Sequence, residues 1–165
     1  MNAGAEVLAE PDEESPLSAV YRSERDDLVR FAAFVTGDVG AAVELVHDAF
    51  ADLHEVWENV QSPAAWLRSA VGRRSVSWVR RRIVARRYLQ SQTGGGSVAA
   101  VDVPQLVNVR QAVAKLSPQR RAVVFCRFYL DLSEAETART LQVPLGTVKS
   151  RLSRAMRELE EALDD

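Results

Sequence analysis

The sequence predicts an all-α fold, with two small helical domains joined by a flexible linker. Apolar residues recur at spacings of three and four through most of the chain, which is the period of a helix with one buried face. No segment shows sustained alternation of apolar and polar residues, and no Asn-Gly or Asp-Gly hairpin turn occurs. Between the two helical parts, residues 90–97 hold three glycines and nothing large to bury, as is typical of a tether.

Three helices are predicted for the first domain. Ser15-Pro16 begins the first, because proline suits the first helical position, and Gly37 ends it. Asp38 caps the second helix, and a short loop over 58–62 leads to a long third helix that opens at Ser62-Pro63. The predicted buried positions are Leu28, Phe31 and Val35, then Val46, Phe50, Leu53 and Trp57, then Trp66, Leu67, Val71, Trp78, Val79 and Ile83.

The second domain is predicted to hold four helices. Pro104 begins the first and Ser117-Pro118 the second. Ser133 and Glu136 have the spacing of a capping box and start a short third helix, which Pro144 ends before the last helix begins. The predicted buried positions are Leu106, Val109, Val113 and Leu116, then Val124 and Phe128, then Ala135, Ala138 and Leu141, then Val148, Leu152, Ala155, Leu159 and Leu163.

The last two helices have the layout of a helix-turn-helix that enters a DNA major groove. Lys149, Ser150, Ser153, Arg154 and Arg157 lie off the buried stripe of the last helix, with Arg151 at its margin. No acid occurs in residues 145–157, whereas acids crowd the residues that follow. A helix that needed charge only for solubility would carry positive and negative side chains together, so the pattern favours DNA binding over a solvated hairpin.

Charge is also segregated upstream, although the formal net charge is only −2. Residues 1–16 carry acids and no cation, and are expected to be disordered. Every charge in residues 38–58 is negative, and every charge in residues 68–87 is positive. Two separated blocks of opposite sign indicate two kinds of partner surface, one basic and one polyanionic.

Several protein classes are excluded by what the sequence lacks. Cys126 is the only cysteine, so no intramolecular disulfide can form, and its apolar neighbours indicate a buried small hydrophobe. No window of about eighteen apolar residues predicts a membrane span, and the acidic N-terminus is unlike a secretory signal. We therefore expect a cytoplasmic protein without membrane insertion.

Three segments of the second domain carry a resemblance to a known family. Residues 116–124 read Leu-Ser-Pro-Gln-Arg-Arg-Ala-Val-Val, residues 131–138 read Asp-Leu-Ser-Glu-Ala-Glu-Thr-Ala, and residues 146–155 read Gly-Thr-Val-Lys-Ser-Arg-Leu-Ser-Arg-Ala. The chain resembles an extracytoplasmic-function (ECF, group 4) sigma factor of bacterial RNA polymerase, in the sigma-70 family. It is similar to the actinobacterial SigE-family branch, with looser matches at 28–31, 36–38, 44–50 and 65–68.

The resemblance implies a domain plan. It divides the chain into an acidic tail at 1–16, sigma region 2 at 17–89, a linker at 90–104 and sigma region 4 at 105–165. It implies a factor that binds core RNA polymerase, at the β′ clamp helices and the β flap, and that recognises promoter DNA. Members are commonly held inactive by an anti-sigma factor, although no residue here identifies one. No catalytic residue, cofactor or metal is implied.

The acidic stripe of the second helix matches the family's docking site on the β′ clamp helices. Like charges at helical spacing repel by a few tenths of a kcal/mol per pair, and a basic partner surface accounts for their presence. The candidate clamp contacts are Glu44, Leu45, Asp48, Asp52 and Glu55.

In the family, the loop at 58–62 reads a base flipped out of the −10 element, and the following helix holds the melted strand. Polar groups read the edges of a flipped base, while aromatic rings and cations hold a single strand. The candidate residues are Asn59, Gln61, Ser62, Trp66, Arg73, Arg74, Ser77 and Arg81. Trp78 falls near the apolar stripe, so core packing accounts for it as well as base stacking does.

The last helix matches the family's −35 reader. Arg151 and Arg154 are the candidates for base contacts, since a bidentate arginine–guanine pair contributes about 1–3 kcal/mol of discrimination. Thr147 and Lys149 lie near the helix N-terminus, where backbone donors favour phosphate. The candidate −35 residues are Thr147, Lys149, Ser150, Arg151 and Arg154.

The chain departs from the family at three places. Gln142 stands where the helix-helix turn usually has glycine, and at a positive φ it would cost roughly 1 kcal/mol. The usual Asp-Ala-Glu-Asp start of the clamp-binding segment is Gly40-Ala-Ala-Val-Glu44, which lacks one acid. The basic helix lacks the usual Asn-x-x-x-Asp pattern.

Two other functions fit parts of the sequence. A LuxR/GerE-type transcription regulator has a similar final domain, but it needs a sensory domain, usually α/β, where this chain shows no strands. A helical di-iron enzyme uses the Glu-x-x-His spacing found at Glu44 and His47. Such a site needs a second copy, which the only other histidine, His54, does not supply.

Overall fold

Seven α-helices and a short 3₁₀ turn make up the part of the chain that the structure describes. The structure is a computed structural model, and it describes residues 15–92 and 106–164, in which no strand occurs. The helices are α1 (Pro16–Thr36), α2 (Val39–Val56), α3 (Pro63–Gln92), α4 (Leu106–Lys115), α5 (Pro118–Phe128), α6 (Glu134–Leu141) and α7 (Leu145–Leu163), and the 3₁₀ turn is Trp57–Asn59. The predicted all-α class is confirmed.

Several helix ends follow the predicted signals. Pro104, which was predicted to begin the first helix of the second domain, lies outside the described residues, as do residues 1–14 of the predicted tail and 93–105 at the predicted linker. Gly37 adopts φ 72° and ends α1, and the Asp38 side chain accepts a hydrogen bond from the Ala41 N–H at 3.0 Å to begin α2. Ser133 and Glu136 form both hydrogen bonds of a capping box at the start of α6. Helix α3 continues to Gln92, past the residue 89 that was expected to end the first domain. Glutamine and arginine favour helix, which accounts for the extension. No helix in the described ranges is long and apolar enough to cross a membrane.

One hydrophobic core joins α1–α3 to α5–α7. Phe31 of α1 stacks on Phe125 of α5, with ring centroids 4.9 Å apart and planes 12° apart. Leu141 and Val148, from the helix-turn-helix, belong to the same cluster. We call α1–α3 the N-module and α4–α7 the C-module. Modules this small leave apolar faces uncovered, and each module here buries the other's face.

Several positions that periodicity assigns to the core lie at the surface instead. Within α6 the buried residues are Thr137 and the predicted Leu141, whereas Ala135 is exposed. The others lie near helix ends or on edges that no neighbouring helix covers, where the apolar stripe has nothing to pack against. These exposed residues are Ile83, Val109, Phe128 and Leu163.

Gly72 allows the two modules to approach closely. A Cβ atom at this position would lie 3.2 Å from Leu141 Cδ2 of α6 and 3.2 Å from Phe31 Cζ of α1. These distances are shorter than ordinary van der Waals contact, so a side chain at residue 72 would force Leu141 or Phe31 to shift by a few tenths of an ångström.

We expect Gly72→Val to loosen the junction, because overpacking typically costs about 1–3 kcal/mol. Cys126 reports this directly, since it is fully buried in the shared core and burial raises the pKa of its thiol to about 12. Its labelling by a thiol reagent at pH 8 should accelerate by roughly tenfold or more. Gly146→Val is the matched control, because a Cβ there meets nothing within 4 Å. Equal labelling rates in the two variants, with unchanged helical circular dichroism, would contradict the prediction.

Candidate nucleic-acid interface

Helix α7 carries an exposed cationic face opposite its buried side. Val148 and Ala155 are fully buried, whereas Lys149 and Arg154 are exposed. Arg151 is half-buried at the margin, and the loss of solvent lowers the pKa of its guanidinium, which stays charged. The buried side of α7 makes its contacts with α4, α5 and α6. The cationic face on the other side is therefore open to solvent.

Local contacts hold the first turn of α7. The Ser150 hydroxyl donates to the Thr147 carbonyl at 3.1 Å, and Lys149 Nζ lies 3.9 Å from Glu134 Oε2 of α6. An exposed pair at this distance contributes little, so Lys149 is free to exchange its carboxylate for a phosphate. All five candidate −35 residues lie within the first three turns of α7.

Five of the candidate −10 residues surround one cavity of about 640 Å³ in the N-module. The 3₁₀ turn carries Asn59 to its rim, and Val60 donates its N–H to the Trp57 carbonyl at 3.2 Å to hold the loop. Trp66 is half-buried, which leaves part of its ring accessible. The five candidates at this cavity are Asn59, Gln61, Ser62, Trp66 and Arg73.

The other three −10 candidates lie elsewhere on α3. Arg74 forms an ion pair with Asp52 of α2, so a candidate for DNA contact pairs with a candidate for clamp contact. Arg81 lines the same separate cavity as Arg74 and Asp52. Ser77 lies at a third cavity, close to Gly72. The predicted −10 set therefore occupies more than one face of its helix.

The acidic stripe of α2 is largely exposed. Glu44, Asp48 and Glu55 face solvent, and Asp52 is engaged by Arg74. Leu45 is only 7% exposed, because its position falls on the apolar side of the helix. The exposed surface of this stripe therefore consists mainly of carboxylates.

Histidine 47 serves a structural contact. His47 Nε2 lies 3.1 Å from Tyr21 Oη of α1, and the two rings are stacked. Among the described residues, no three His, Cys, Asp or Glu side chains cluster in a way that could hold a metal ion. The Glu-x-x-His spacing of α2 is thus not part of a metal cluster in this region of the chain.

Gln142 is a residue of the site that sequence reasoning did not assign to it. It adopts φ 53° and ψ 48°, so the strain expected for a non-glycine residue in this turn is present. Its exposed side chain also lines the cavity of Asn59 and Trp66, and thereby places the C-module at the mouth of the N-module's cavity. The sequence indicated that Gln142 is unusual, because the family usually has glycine there. Its place at the cavity follows only from the packing of the two modules.

Comparisons with known proteins agree on one family. The model for "Sigma-70, region 4" matches residues 106–159. The chain is 30% identical over 149 residues to the RNA polymerase sigma-E factor of Streptomyces coelicolor, covering 86% of this chain and 82% of the relative. It is 28% identical over 160 residues to the ECF RNA polymerase sigma factor SigL of Mycobacterium tuberculosis, covering 90% and 89%.

A solved structure shares the fold. It is the sigma factor RpoE of Bartonella quintana in complex with the anti-sigma factor NepR, with a TM-score of 0.68 and 23% identity. The match covers 88% of this chain and 95% of that chain.

We expect Gln142→Gly to stabilise the fold by up to about 1 kcal/mol, measured by urea unfolding. Glycine removes the strain of the left-handed conformation, about 1–2 kcal/mol. Its greater conformational freedom stabilises the unfolded chain, so the net increase in the free energy of unfolding is smaller. Gln142→Ala is the control, because alanine keeps the Cβ atom and therefore the strain. A glycine variant no more stable than the alanine variant would show that the turn is not strained.

Proposed function

Because the chain belongs to the ECF RNA polymerase sigma factors of the sigma-70 family, we propose that its two modules bind the two elements of a promoter separately. Family members bind core RNA polymerase and promoter DNA and direct transcription initiation, and they are initiation factors rather than enzymes. The observation that supports this proposal most strongly is the cationic face of α7, which lies within a helix-turn-helix that matches sigma region 4. These relatives favour the sigma factor over the LuxR/GerE-type regulator.

The C-module is proposed to bind the −35 element as duplex DNA. Arg151 and Arg154 contact base edges in the major groove, where a guanidinium forms two parallel hydrogen bonds with guanine. Thr147, Lys149 and Ser150 hold the adjacent phosphates, helped by the backbone donors at the start of α7. The half-buried position of Arg151 supports a base contact, because a guanidinium held by neighbours loses less freedom on binding.

The N-module is proposed to capture the melted −10 element. Its cavity combines exposed amide and hydroxyl groups with the half-buried ring of Trp66 and the cation of Arg73, the combination that suits a flipped base beside a phosphate. Ser77, Arg74 and Arg81 extend the contact along α3. Arg74 must first leave Asp52, so binding of the strand by Arg74 frees the Asp52 carboxylate for the clamp.

The acidic face of α2 is proposed to dock on the β′ clamp helices of core polymerase. Glu44, Asp48 and Glu55 present unpaired carboxylates among the described residues, and Asp52 joins them when Arg74 moves to DNA. Charge complementarity of this kind raises the rate of association and fixes its orientation. Leu45 contributes by packing, since it is buried. The C-module is proposed to contact the β flap.

The packed arrangement is proposed to be the form that precedes promoter binding. Positions −10 and −35 lie about 25 base pairs apart, roughly 85 Å at about 3.4 Å per base pair. In the packed arrangement, Gln142 of the helix-turn-helix lines the proposed −10 cavity itself. The modules must therefore separate for both elements to be bound together. An anti-sigma factor is a proposed further partner, and the cytoplasm is the proposed location.

We expect Arg151→Ala and Arg154→Ala each to lower −35-dependent transcription by about 5- to 150-fold, from 1–3 kcal/mol per bidentate contact. Reconstituted transcription with core polymerase measures the loss, and native gel shift measures core binding, which should persist. Arg157→Ala is the control, because Arg157 is exposed one turn further along α7 with Glu161 at 3.8 Å. Loss of core binding in the two test variants would contradict the assignment.

We expect charge reversal of Glu44 and Asp48 to lysine to weaken core association at least about tenfold, because it places like charges at a basic partner surface. Co-purification with core polymerase at two salt concentrations measures the change. Reversal of Glu160 and Glu161 at the exposed end of α7 is the control with the same change in net charge. If both double variants co-purified with core polymerase to the same extent, the assignment of this face to the clamp would be wrong.

A further inference from the structure

Arg121 of α5 is a buried cation that has no counterion among the described residues. The residue is only 8% exposed, and its Nε atom is buried with no hydrogen-bond partner. No ion pair with another described residue engages its guanidinium, and burial lowers its pKa with no opposing acid. The adjacent Arg120 contrasts with it, because Arg120 pairs with Glu158 of α7.

The guanidinium of Arg121 faces a cavity of about 330 Å³ at the junction of the two modules. Its Nη1 atom lies near the turn between α1 and α2, 3.8 Å from where a Cβ of Gly37 would be. Arg82 and Arg86 of α3 also line this cavity. The Arg82 guanidinium lies 4.8 Å above the ring of Trp78, which also lines the cavity.

The cavity has an excess of positive charge. Of the described residues that line it, only Asp38 is acidic, and its carboxylate already accepts hydrogen bonds from the Ala41 N–H and from Arg82 at 2.9 Å. Both contacts lower the pKa of Asp38, the backbone hydrogen bond most. Three guanidinium groups thus share one carboxylate, and both oxygens of that carboxylate already accept hydrogen bonds. A buried charge is tolerated when it is paired, so the composition of the cavity indicates a missing anion.

We propose that this junction cavity binds a small phosphate-type oxyanion, with Arg121 as its central ligand and Arg82 and Arg86 at its sides. A guanidinium presents parallel donors that match the oxygens of a phosphate. A volume of about 330 Å³ holds one or two phosphate groups, and it lies at the lower end of the range for small-molecule sites. The cavity is recessed between helices, which suits a free anion better than a DNA strand that must continue on both sides.

The site exists only while the modules are packed together. Arg121 belongs to the C-module, and Gly37, Asp38, Arg82 and Arg86 belong to the N-module. A ligand that binds one arrangement and not the other stabilises the first by mass action. The bound oxyanion therefore holds the modules together and opposes their separation. This inference goes beyond the proposed function and is tested on the chain alone, without polymerase or promoter.

The test uses the full chain with sodium pyrophosphate, against sodium chloride at matched ionic strength. Saturating pyrophosphate should raise the unfolding temperature by about 5 °C and slow the thiol labelling of Cys126 about tenfold. Arg121→Met should abolish both effects while keeping most of the packing volume. Arg80→Met is the matched control, because Arg80 is an exposed residue of α3 outside the cavity and should keep both effects.

A full pyrophosphate response in Arg121→Met would overturn the proposal, since the effect would then be a general ionic one. The proposal would also be overturned, in favour of a DNA strand, by a different pair of results. In that case a thymidine oligonucleotide would slow the labelling of Cys126 in the unsubstituted chain but not in Arg121→Met, and pyrophosphate would slow it in neither. Should Arg121→Met fail to fold, Arg86→Gln at the cavity wall serves instead. That variant should weaken pyrophosphate binding by about tenfold, and an unchanged affinity would contradict the site.

Discussion

The contact of Phe125 with α1 is the interaction on which the rest of the arrangement depends. Its ring stacks on Phe31 at 4.9 Å and lies tilted against Phe34 at 5.2 Å. Aromatic pairs of this kind contribute about 0.5–1.5 kcal/mol beyond the area they bury. With α5 held on α1 in this way, α6 reaches α3 at Gly72. The cavity with Gln142 at its edge and the junction cavity of Arg121 are both products of that single docking event.

Much of the local structure was predictable, because it is encoded by residues close in sequence. Gly37, Asp38 and the capping box of Ser133 and Glu136 fix helix ends through hydrogen bonds that span no more than five residues. The cationic face of α7 was predictable for the same reason, since helical periodicity separates it from Val148 and Ala155.

What the sequence did not predict is set by contacts between distant segments. The pairing of Arg74 with Asp52 joins residues of two helices, and periodicity carries no information about which helices meet. The same limit explains Ala135, which lies at the edge of its stripe where no helix covers it. Gln142 illustrates the limit most clearly. Its turn geometry follows from its place between two helices, but its position at the other module's cavity depends on a shared core that local patterns do not encode.

If the two surfaces bind DNA as proposed, the open cationic face of α7 imposes an order on the two binding steps. Duplex DNA can meet this face while the modules remain packed, because nothing in the described part of the N-module covers Lys149 or Arg154. The cavity beside Gln142, in contrast, becomes fully available only after the modules part. Under the proposed assignments, the chain therefore binds double-stranded DNA first and single-stranded DNA second. That order would act as a checkpoint, because a single strand that met the packed chain would find its proposed binding cavity partly occupied by Gln142.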